Sequence, residues 1–335
     1  MEYRVLGATG VQVSSLCFGT MSFGGDADEA TSAAMFNRCR EAGINFFDCA
    51  NSYSHGRAEE ILGELVADAG CRNEVILTSK VHSATGPDVN ARGTSRRNML
   101  LAVEDTLRRL RTNRLDLYFL HGFDKLTPME ETLRAFDDLV SQGKVLYPAV
   151  SNWAAWQIAK ALGISAARHW ARFQCIQPMY NLAKRQAEVE ILPLAQSERV
   201  GVISYSPLGG GLLTGKWGTT RRAASGRLMT NERYQVRYGD PINYEVADRL
   251  TAYAQAHGHQ PATLAVAWVM SHPGITAPII GARNVAQLEA SLAAADVKMT
   301  PEWRAEISAL SPEPPPATDR SEERVPARPR GTATK

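Results

Sequence analysis

Cysteine is scarce in this chain: Cys17, Cys39, Cys49, Cys71 and Cys175 are the only five in 335 residues, and no two form a CxxC pair. An odd, scattered set excludes a disulfide scaffold and a zinc ribbon, and it predicts reduced, mostly buried thiols in a cytoplasmic protein. An excess of either charge is missing too. Lys and Arg total 37 against 35 Asp and Glu, and a net charge of +2 gives no electrostatic case for nucleic acid or an anionic membrane surface. Long hydrophobic runs are absent. The longest, such as residues 264–270, fall far short of the ~20 residues that a membrane-spanning helix needs. The opening MEYRVLGATG holds no apolar core of the kind a secretory leader carries.

What remains is an ordinary globular composition, 44% apolar and 21% charged. The length suits about two domains, or one large α/β barrel of ~250 residues with additions. The end of the chain separates cleanly. Residues 312–335 hold six prolines, one branched aliphatic residue (Val325) and no aromatic, so they are expected to form a disordered tail behind a domain spanning residues 1–311.

Within 1–311 one rhythm repeats. Short apolar, β-rich runs fall at 15–19, 44–50, 75–81, 115–121, 147–152, 175–181, 201–208 and 277–282, eight in all. Between them lie helical patterns such as Ala58-Ile61-Leu62-Leu65-Val66. Thr127 and Pro128 open another helix, which Gly143 stops. Continuous apolar strands that alternate with helices mean a parallel sheet covered by helices. Eight such units over about 270 residues fit a closed (β/α)8 TIM barrel better than an open sheet. Residues 3–13, with Gly7 and Gly10, predict a hairpin ahead of the barrel. Residues 261–271 and 301–310 predict two extra helices.

A barrel puts its chemistry at the C-terminal ends of the strands. Those ends carry Asp48 with Tyr53 in the following loop, Lys80, and His121. The spacings of 32 residues from Asp48 to Lys80 and 41 from Lys80 to His121 are each about one βα unit. The geometry therefore predicts that the four side chains meet. A tyrosine hydroxyl titrates near pH 10. A neighbouring lysine ammonium is expected to lower that value, and a buried aspartate to keep the lysine charged and oriented. A neutral histidine can donate a hydrogen bond to a carbonyl oxygen as charge builds there. Such a set makes a general acid for reducing a carbonyl, with hydride arriving from a cofactor.

These motifs resemble the aldo-keto reductases, in the branch that includes the potassium-channel β-subunit relatives. The likeness runs from Tyr3 to about Leu310. It is carried by Leu16-Cys17-Phe18-Gly19-Thr20-Met21, Phe47-Asp48-Cys49-Ala50, Leu62-Gly63, Thr78-Ser79-Lys80 and Leu120-His121 with Asp124. It continues through Val150-Ser151-Asn152, Gln177-Pro178-Met179-Tyr180-Asn181, Tyr205-Ser206-Pro207-Leu208, Leu213-Thr214-Gly215-Lys216 and Ile280-Gly281-Ala282-Arg283. The resemblance implies a catalytic tetrad of Asp48, Tyr53, Lys80 and His121, with Tyr53 as proton donor. It also implies an NADPH (NADP+) cofactor held without a Rossmann fold. Ser151, Asn152 and Gln177 correspond to residues that hold the nicotinamide carboxamide, and Tyr205 to the aromatic that stacks on its ring. Gly19, Thr20, Met21 and Asp48 are also implied as cofactor-binding residues. Ser206, Pro207, Leu208, Gly209, Gly211 and Lys216 would line the pyrophosphate region, with Gly281, Arg283, Gln287 and Ser291 at the adenosine end. Lys216 and Arg283 would supply two cations for a 2′-phosphate, so NADPH is expected over NADH. Cys49, Ala149 and Gly122-Phe123 depart from the family pattern without touching the tetrad.

Two segments imitate other nicotinamide folds. Gly7-Ala8-Thr9-Gly10 has Val13 where a third glycine belongs, and Tyr180-Asn181-Leu182-Ala183-Lys184 starts at a strand end instead of inside a helix. A barrel metallohydrolase lacks its His-x-His on the first strand. The rival reading is an NADP-binding regulatory subunit of the channel type with marginal turnover. On the substrate side, Met21, Tyr53, His121, Phe123, Trp153 and Tyr180 are candidates for the pocket wall. Residues 217–242 form a 26-residue loop with five arginines, and Arg227 is expected to close over the cofactor phosphates. The expected partner is a small-molecule carbonyl substrate; the chain is expected to be a monomer or homo-oligomer.

Overall fold

The computed structural model describes residues 1–320 and 322. The chain opens with an antiparallel hairpin of β1 (Tyr3–Val5) and β2 (Gln12–Ser14). Eight parallel strands follow: β3 (Cys17–Gly19), β4 (Phe46–Asp48), β5 (Ile76–Val81), β6 (Leu115–Leu120), β7 (Val145–Ser151), β8 (Cys175–Gln177), β9 (Gly201–Ser204) and β10 (Ala277–Ile280). They close on themselves in sequence order, with β10 pairing β3. The fold is a (β/α)8 TIM barrel with an N-terminal hairpin. Most strands end earlier than the apolar runs suggest. Residues 178–181 and 205–208, for example, leave the ladder to form the loops at the barrel mouth.

Helices α1 (Glu29–Glu41), α2 (Arg57–Asp68), α3 (Arg96–Arg109), α4 (Met129–Ser141), α5 (Ala155–Arg168) and α6 (Ile191–Ser197) connect β3 through β9. Their starts follow local chemistry. Asp28 and Ser95 accept hydrogen bonds from the backbone amides of Thr31 and Asn98, and Gly143 at φ +70° ends the chain segment after α4. Between β9 and β10 the chain adds α7 (Arg227–Thr230), α8 (Glu232–Tyr238), α9 (Pro241–Ala256) and α10 (Pro261–Met270). The arginine-rich stretch expected as a loop thus contains two short helices, because Leu228, Tyr234 and Tyr238 have core to pack against. The two predicted extra helices are present as α10 and α12 (Pro301–Ser308), with α11 (Val285–Leu292) between them.

Strand alternation splits the core in two. Cys17, Phe46, Leu117, Phe119, Ala149, Cys175, Ile203 and Ala277 fill the barrel interior, and Leu6 and Val13 of the hairpin close its lower end. Gly7 has to be glycine there. A β-carbon on it would lie 2.6 Å from the Gly201 amide, and its φ of +53° is left-handed. The opposite strand faces pack against the helices in a larger outer core. All five cysteines are buried and free. No helix among the described residues is long and apolar enough to cross a membrane. Residues 312–320 form no helix or strand, while the rest of the expected disordered tail, apart from Glu322, lies outside the described residues.

Candidate active site

The same alternation aims three strand ends at one point. On β4, Phe46 faces inward and Phe47 outward, so Asp48 faces inward. On β5, Leu77 and Val81 pack outward, which turns Thr78 and Lys80 toward the barrel axis. On β6, Phe119 is inward and Leu120 outward, and His121 follows as the next inward position. The strand register sets Asp48 beside Thr78 and Lys80 beside Phe119.

Lys80 is completely buried, and its Nζ donates to Asp48 Oδ2 at 2.6 Å, to the Cys49 carbonyl at 2.7 Å and to the Tyr53 hydroxyl at 3.4 Å. Asp48 Oδ1 accepts from Thr78 Oγ1 at 2.7 Å and from Gln177 Nε2 at 3.0 Å. The carboxylate is therefore fully engaged, and a buried ion pair of this kind holds only when its spare lone pairs are satisfied. Tyr53 opens a short 3-10 turn, Tyr53–Gly56, in which Ser54 and His55 both take positive φ. Ser54 Oγ pins that turn to the Phe23 carbonyl at 2.7 Å. The Tyr53 ring meets the His121 ring edge-on, 5.9 Å between centroids. All four residues expected to meet are within one cluster.

Burial favours the neutral amine at Lys80, yet the Asp48 carboxylate and its hydrogen bond overturn that and hold its pKa above the ordinary lysine value. Tyr53 differs from expectation. Burial pushes its hydroxyl up to about 12, because the cost of a buried phenolate exceeds the pull of Lys80, and Asp48 opposes that pull. Lys80 moderates this rise without reversing it. His121 is driven down to about 3 by burial first, then by the positive charge of Lys80, His82 and Arg233. Its imidazole is neutral at physiological pH, and its Nδ1 is buried with no partner among the described residues.

A second layer surrounds this cluster. Ser151 Oγ donates to the Gln177 carbonyl at 2.9 Å, and Asn152 Nδ2 donates to the His121 carbonyl at 2.9 Å. The Tyr205 hydroxyl donates to Asn152 Oδ1 at 2.8 Å. Thr20 is held by the Asp48 carbonyl at 2.9 Å, and Gly19 packs so closely on Ile279 that a β-carbon would lie 2.7 Å from it. Met21 is exposed on the rim.

After β9 the backbone forms a cradle. Ser206, Gly209, Gly210 and Gly211 all have positive φ, between +59° and +104°. The Gly209 and Gly211 amides donate to the Ser206 carbonyl at 2.9 Å and the Leu208 carbonyl at 3.0 Å, which fixes the shape of a concave glycine turn. Tyr234 lies on Gly210 and Tyr238 on Gly209, so α8 covers the cradle. Pro207 and Leu208 lead into it, and Lys216 stands exposed just beyond. Arg227 reaches across to Asp26 at 3.7 Å, tying the covering segment to the loop after β3. At α11, Asn284 caps the Gln287 amide, the Arg283 amide donates to Gln287 Oε1 at 3.3 Å, and the Arg283 side chain is exposed. Among the described residues, the buried Ser291 Oγ has no hydrogen-bond partner, and the nearest atom to a β-carbon added at Gly281 is the Gly19 carbonyl oxygen at 3.5 Å. A concave glycine turn, the exposed cations Lys216 and Arg283, and the buried Ser291 hydroxyl with no partner among the described residues are groups that could hold a nicotinamide cofactor.

Two expected wall residues lie elsewhere. Trp153 is 5% exposed and packs edge-on against Phe173, 5.6 Å between centroids, under α5. Tyr180 is fully buried: its hydroxyl donates to Glu188 at 2.5 Å and accepts from Arg304 of α12 at 2.8 Å, and its ring lies on Trp268. Phe123 remains at the mouth, half-buried against Trp153 and Trp156. Sequence reasoning missed three residues. Glu59 is a fully buried carboxylate held by Ser79 and by Arg109 at 2.6 Å, directly behind Lys80; an acid in the apolar stripe of α2 was the available signal. Trp156 is 63% exposed in the first turn of α5, three residues after the buried Trp153. Asn181 donates to both the Ser206 carbonyl at 2.9 Å and the Tyr238 hydroxyl at 3.1 Å, and nothing local in the sequence announces that link. A separate cavity of about 600 Å³ opens on the barrel flank beside His259 and Trp303, and no tetrad residue lines it.

Residues 15–312 match the model of the Aldo/keto reductase family. Over 94% of this chain and 97% of its own length, a Bacillus subtilis (strain 168) protein named Uncharacterized oxidoreductase YrpG is 36% identical. A Probable voltage-gated potassium channel subunit beta of Arabidopsis thaliana is 33% identical over 89% of this chain and 92% of its own. A Norsolorinic acid reductase of Aspergillus flavus is 32% identical over 92% of this chain and 81% of its own.

Proposed function

The chain belongs to the aldo/keto reductase family of oxidoreductases, and on that premise we propose that it reduces an aldehyde or ketone to an alcohol with NADPH, using Tyr53 as general acid. The observation that carries this reading is the buried contact of Lys80 with both Asp48 and the Tyr53 hydroxyl, next to a neutral His121. NADPH, when bound, supplies the hydride that reaches the carbonyl carbon. The protein supplies the rest. Tyr53 is protonated throughout the physiological range, so it can give its proton to the oxygen as that oxygen takes on alkoxide character. Lys80 remains charged and compensates the phenolate left behind. Asp48 fixes Lys80, and Thr78 and Gln177 fix Asp48. His121 offers a neutral donor to the carbonyl and adds no competing positive charge.

Ser151, Asn152, Gln177 and Tyr205 would hold and stack the nicotinamide; the cradle at Ser206 and Gly209 to Gly211 would take the pyrophosphate. Lys216, Arg283, Gln287 and Ser291 would receive the adenosine end, and the exposed Arg283 at the start of α11 supports NADPH over NADH. Arg227 would hold the covering segment shut over the cradle through Asp26. Five buried, free thiols suit the reducing cytoplasm. A second reading, an NADP-binding regulatory subunit, is favoured by the likeness to a plant protein named as a channel β-subunit. The two separate in one assay of NADPH and NADH oxidation across a panel of aromatic and aliphatic carbonyls. Turnover with NADPH supports the enzyme, whereas tight NADPH binding with no turnover on any member supports the regulatory subunit.

A further inference from the structure

The loops above the barrel carry apolar side chains that water would ordinarily disfavour. Met21 is 38% exposed, Leu126 94%, Trp156 63%, Met229 49% and Val236 81%, and each lies on a segment that follows a barrel strand at its C-terminal end. A tryptophan left this open on the catalytic face is unusual, and exposed aromatic area beside a site marks a contact surface. Its surroundings make it a rigid one. Trp156 faces the Phe123 ring at 6.4 Å, Phe123 meets Trp153 edge-on at 5.0 Å, and Trp153 is braced by Phe173. Phe123 is two residues beyond His121, so this aromatic ledge starts beside the imidazole.

The segment after β9 is cationic. Of the five arginines between β9 and α9, two are ion-paired, Arg221 with Asp248 at 2.8 Å and Arg227 with Asp26 at 3.7 Å, while Arg222 meets main-chain carbonyls and the Tyr244 ring, and Arg237 lies 5.2 Å from the centre of the Tyr234 ring. Arg233 and Arg237 stand one turn apart on α8, and among the described residues neither is ion-paired with a carboxylate. Arg237 lies 5.8 Å from the centre of the Tyr205 ring, whose hydroxyl reaches Asn152 and through it the His121 carbonyl. Arg233 is close enough for its charge to be felt at both His121 and Tyr205. The nearby Asp240 is occupied in capping the Ile242 amide.

Building on the carbonyl-reductase reading, we propose that the substrate class is an aromatic carbonyl compound bearing a negatively charged group, its ring laid on the Phe123–Trp156 ledge and its anion met by Arg233 and Arg237. The two halves need each other. An aromatic face gives affinity without direction, and two guanidiniums with no carboxylate partner among the described residues would orient the carbonyl toward Tyr53 and His121.

The test compares 4-formylbenzoate, its neutral isostere 4-formylbenzamide, and butanal, each with NADPH. Wild-type kcat/KM is expected to favour the carboxylate over the amide by about fivefold, mainly through KM. In the double variant R233Q/R237Q that ratio falls to about one, and in Trp156→Ala the ratio of either aromatic to butanal falls about tenfold. NADPH Kd, read by fluorescence titration, is expected to move less than about twofold in R233Q/R237Q. Equal wild-type rates on carboxylate and amide overturn the proposal, as does a double variant that loses NADPH affinity while keeping the carboxylate preference, since the arginines would then serve the cofactor phosphates. Turnover of butanal alone leaves the reductase reading standing and overturns this one; no turnover on any of the three overturns both.

Discussion

Asp48→Asn removes one charge while keeping the side chain's volume, and its cost can be worked from the site. Lys80 is fully buried and its principal acidic partner is Asp48 at 2.6 Å. Stripping one partner from a buried pair costs about 3–5 kcal/mol when the other charge stays. The lysine has an escape: it can lose its proton. From a reference value near 10.4, deprotonation at pH 7 costs about 4.6 kcal/mol, at 1.36 kcal/mol per pH unit, which caps the penalty. At pH 9 the same step costs only about 1.9 kcal/mol. In the native protein Lys80 is raised, so its contribution is present below the unfolded value and lost only as pH rises through the higher folded one. In the variant its folded value is depressed, so stability climbs with pH up to about 10.4. Urea denaturation at pH 7 and pH 9 is expected to show a wild-type-minus-variant gap of about 3–4.6 kcal/mol that narrows toward about 2. A gap under about 1 kcal/mol at pH 7, or one that widens at pH 9, refutes the reasoning.

The pH dependence of catalysis follows from the same groups. With His121 near 3 and Tyr53 near 12, kcat/KM for reduction is expected to be flat from about pH 5 to about pH 10, whereas alcohol oxidation, which needs the phenolate, rises about tenfold per unit; an inflection near 6.5 in the reductive profile contradicts a neutral His121. Asn181→Ala leaves the Ser206 carbonyl and the Tyr238 hydroxyl without their shared donor, so NADPH Kd is expected to rise about tenfold by fluorescence titration, with unchanged affinity as the contrary result. Gly210→Ala drives a β-carbon to 2.5 Å from the Tyr234 ring, whereas Gly258→Ala, at a similar φ of +70°, meets nothing within 4 Å. Thermal unfolding is expected to show the first costing about 2 kcal/mol more than the second, and equal losses would show that α8 does not press on the cradle.

The barrel was legible because its signals are local. Apolar runs ending in a polar residue repeat at the spacing of one βα unit, and alternation along β4, β5 and β6 decides that Asp48, Lys80 and His121 face inward. Contacts distant in sequence were not legible. Tyr180 stands at a strand end, where a barrel-mouth position is expected, but Arg304, 124 residues later, takes its hydroxyl and draws it into the core. Trp153 and Trp156 are both aromatic at the start of α5, and only packing against Phe173 decides which is buried. The net direction of the Tyr53 shift also needed coordinates, since the sign depends on how burial weighs against a lysine 3.4 Å away. Within 217–242 the count of arginines overshadowed Leu228, Tyr234 and Tyr238, whose spacing builds α7 and α8 onto the core.

Tyr53→Phe is the most direct trial of the chemistry, because it deletes one oxygen and leaves the ring against His121. NADPH-dependent reduction of an aldehyde that the wild type turns over is expected to fall by about 10²–10⁴ in kcat, with NADPH Kd held within about threefold. A variant that keeps a tenth or more of wild-type kcat would mean that the proton comes from another group, and the account of Tyr53 would be wrong.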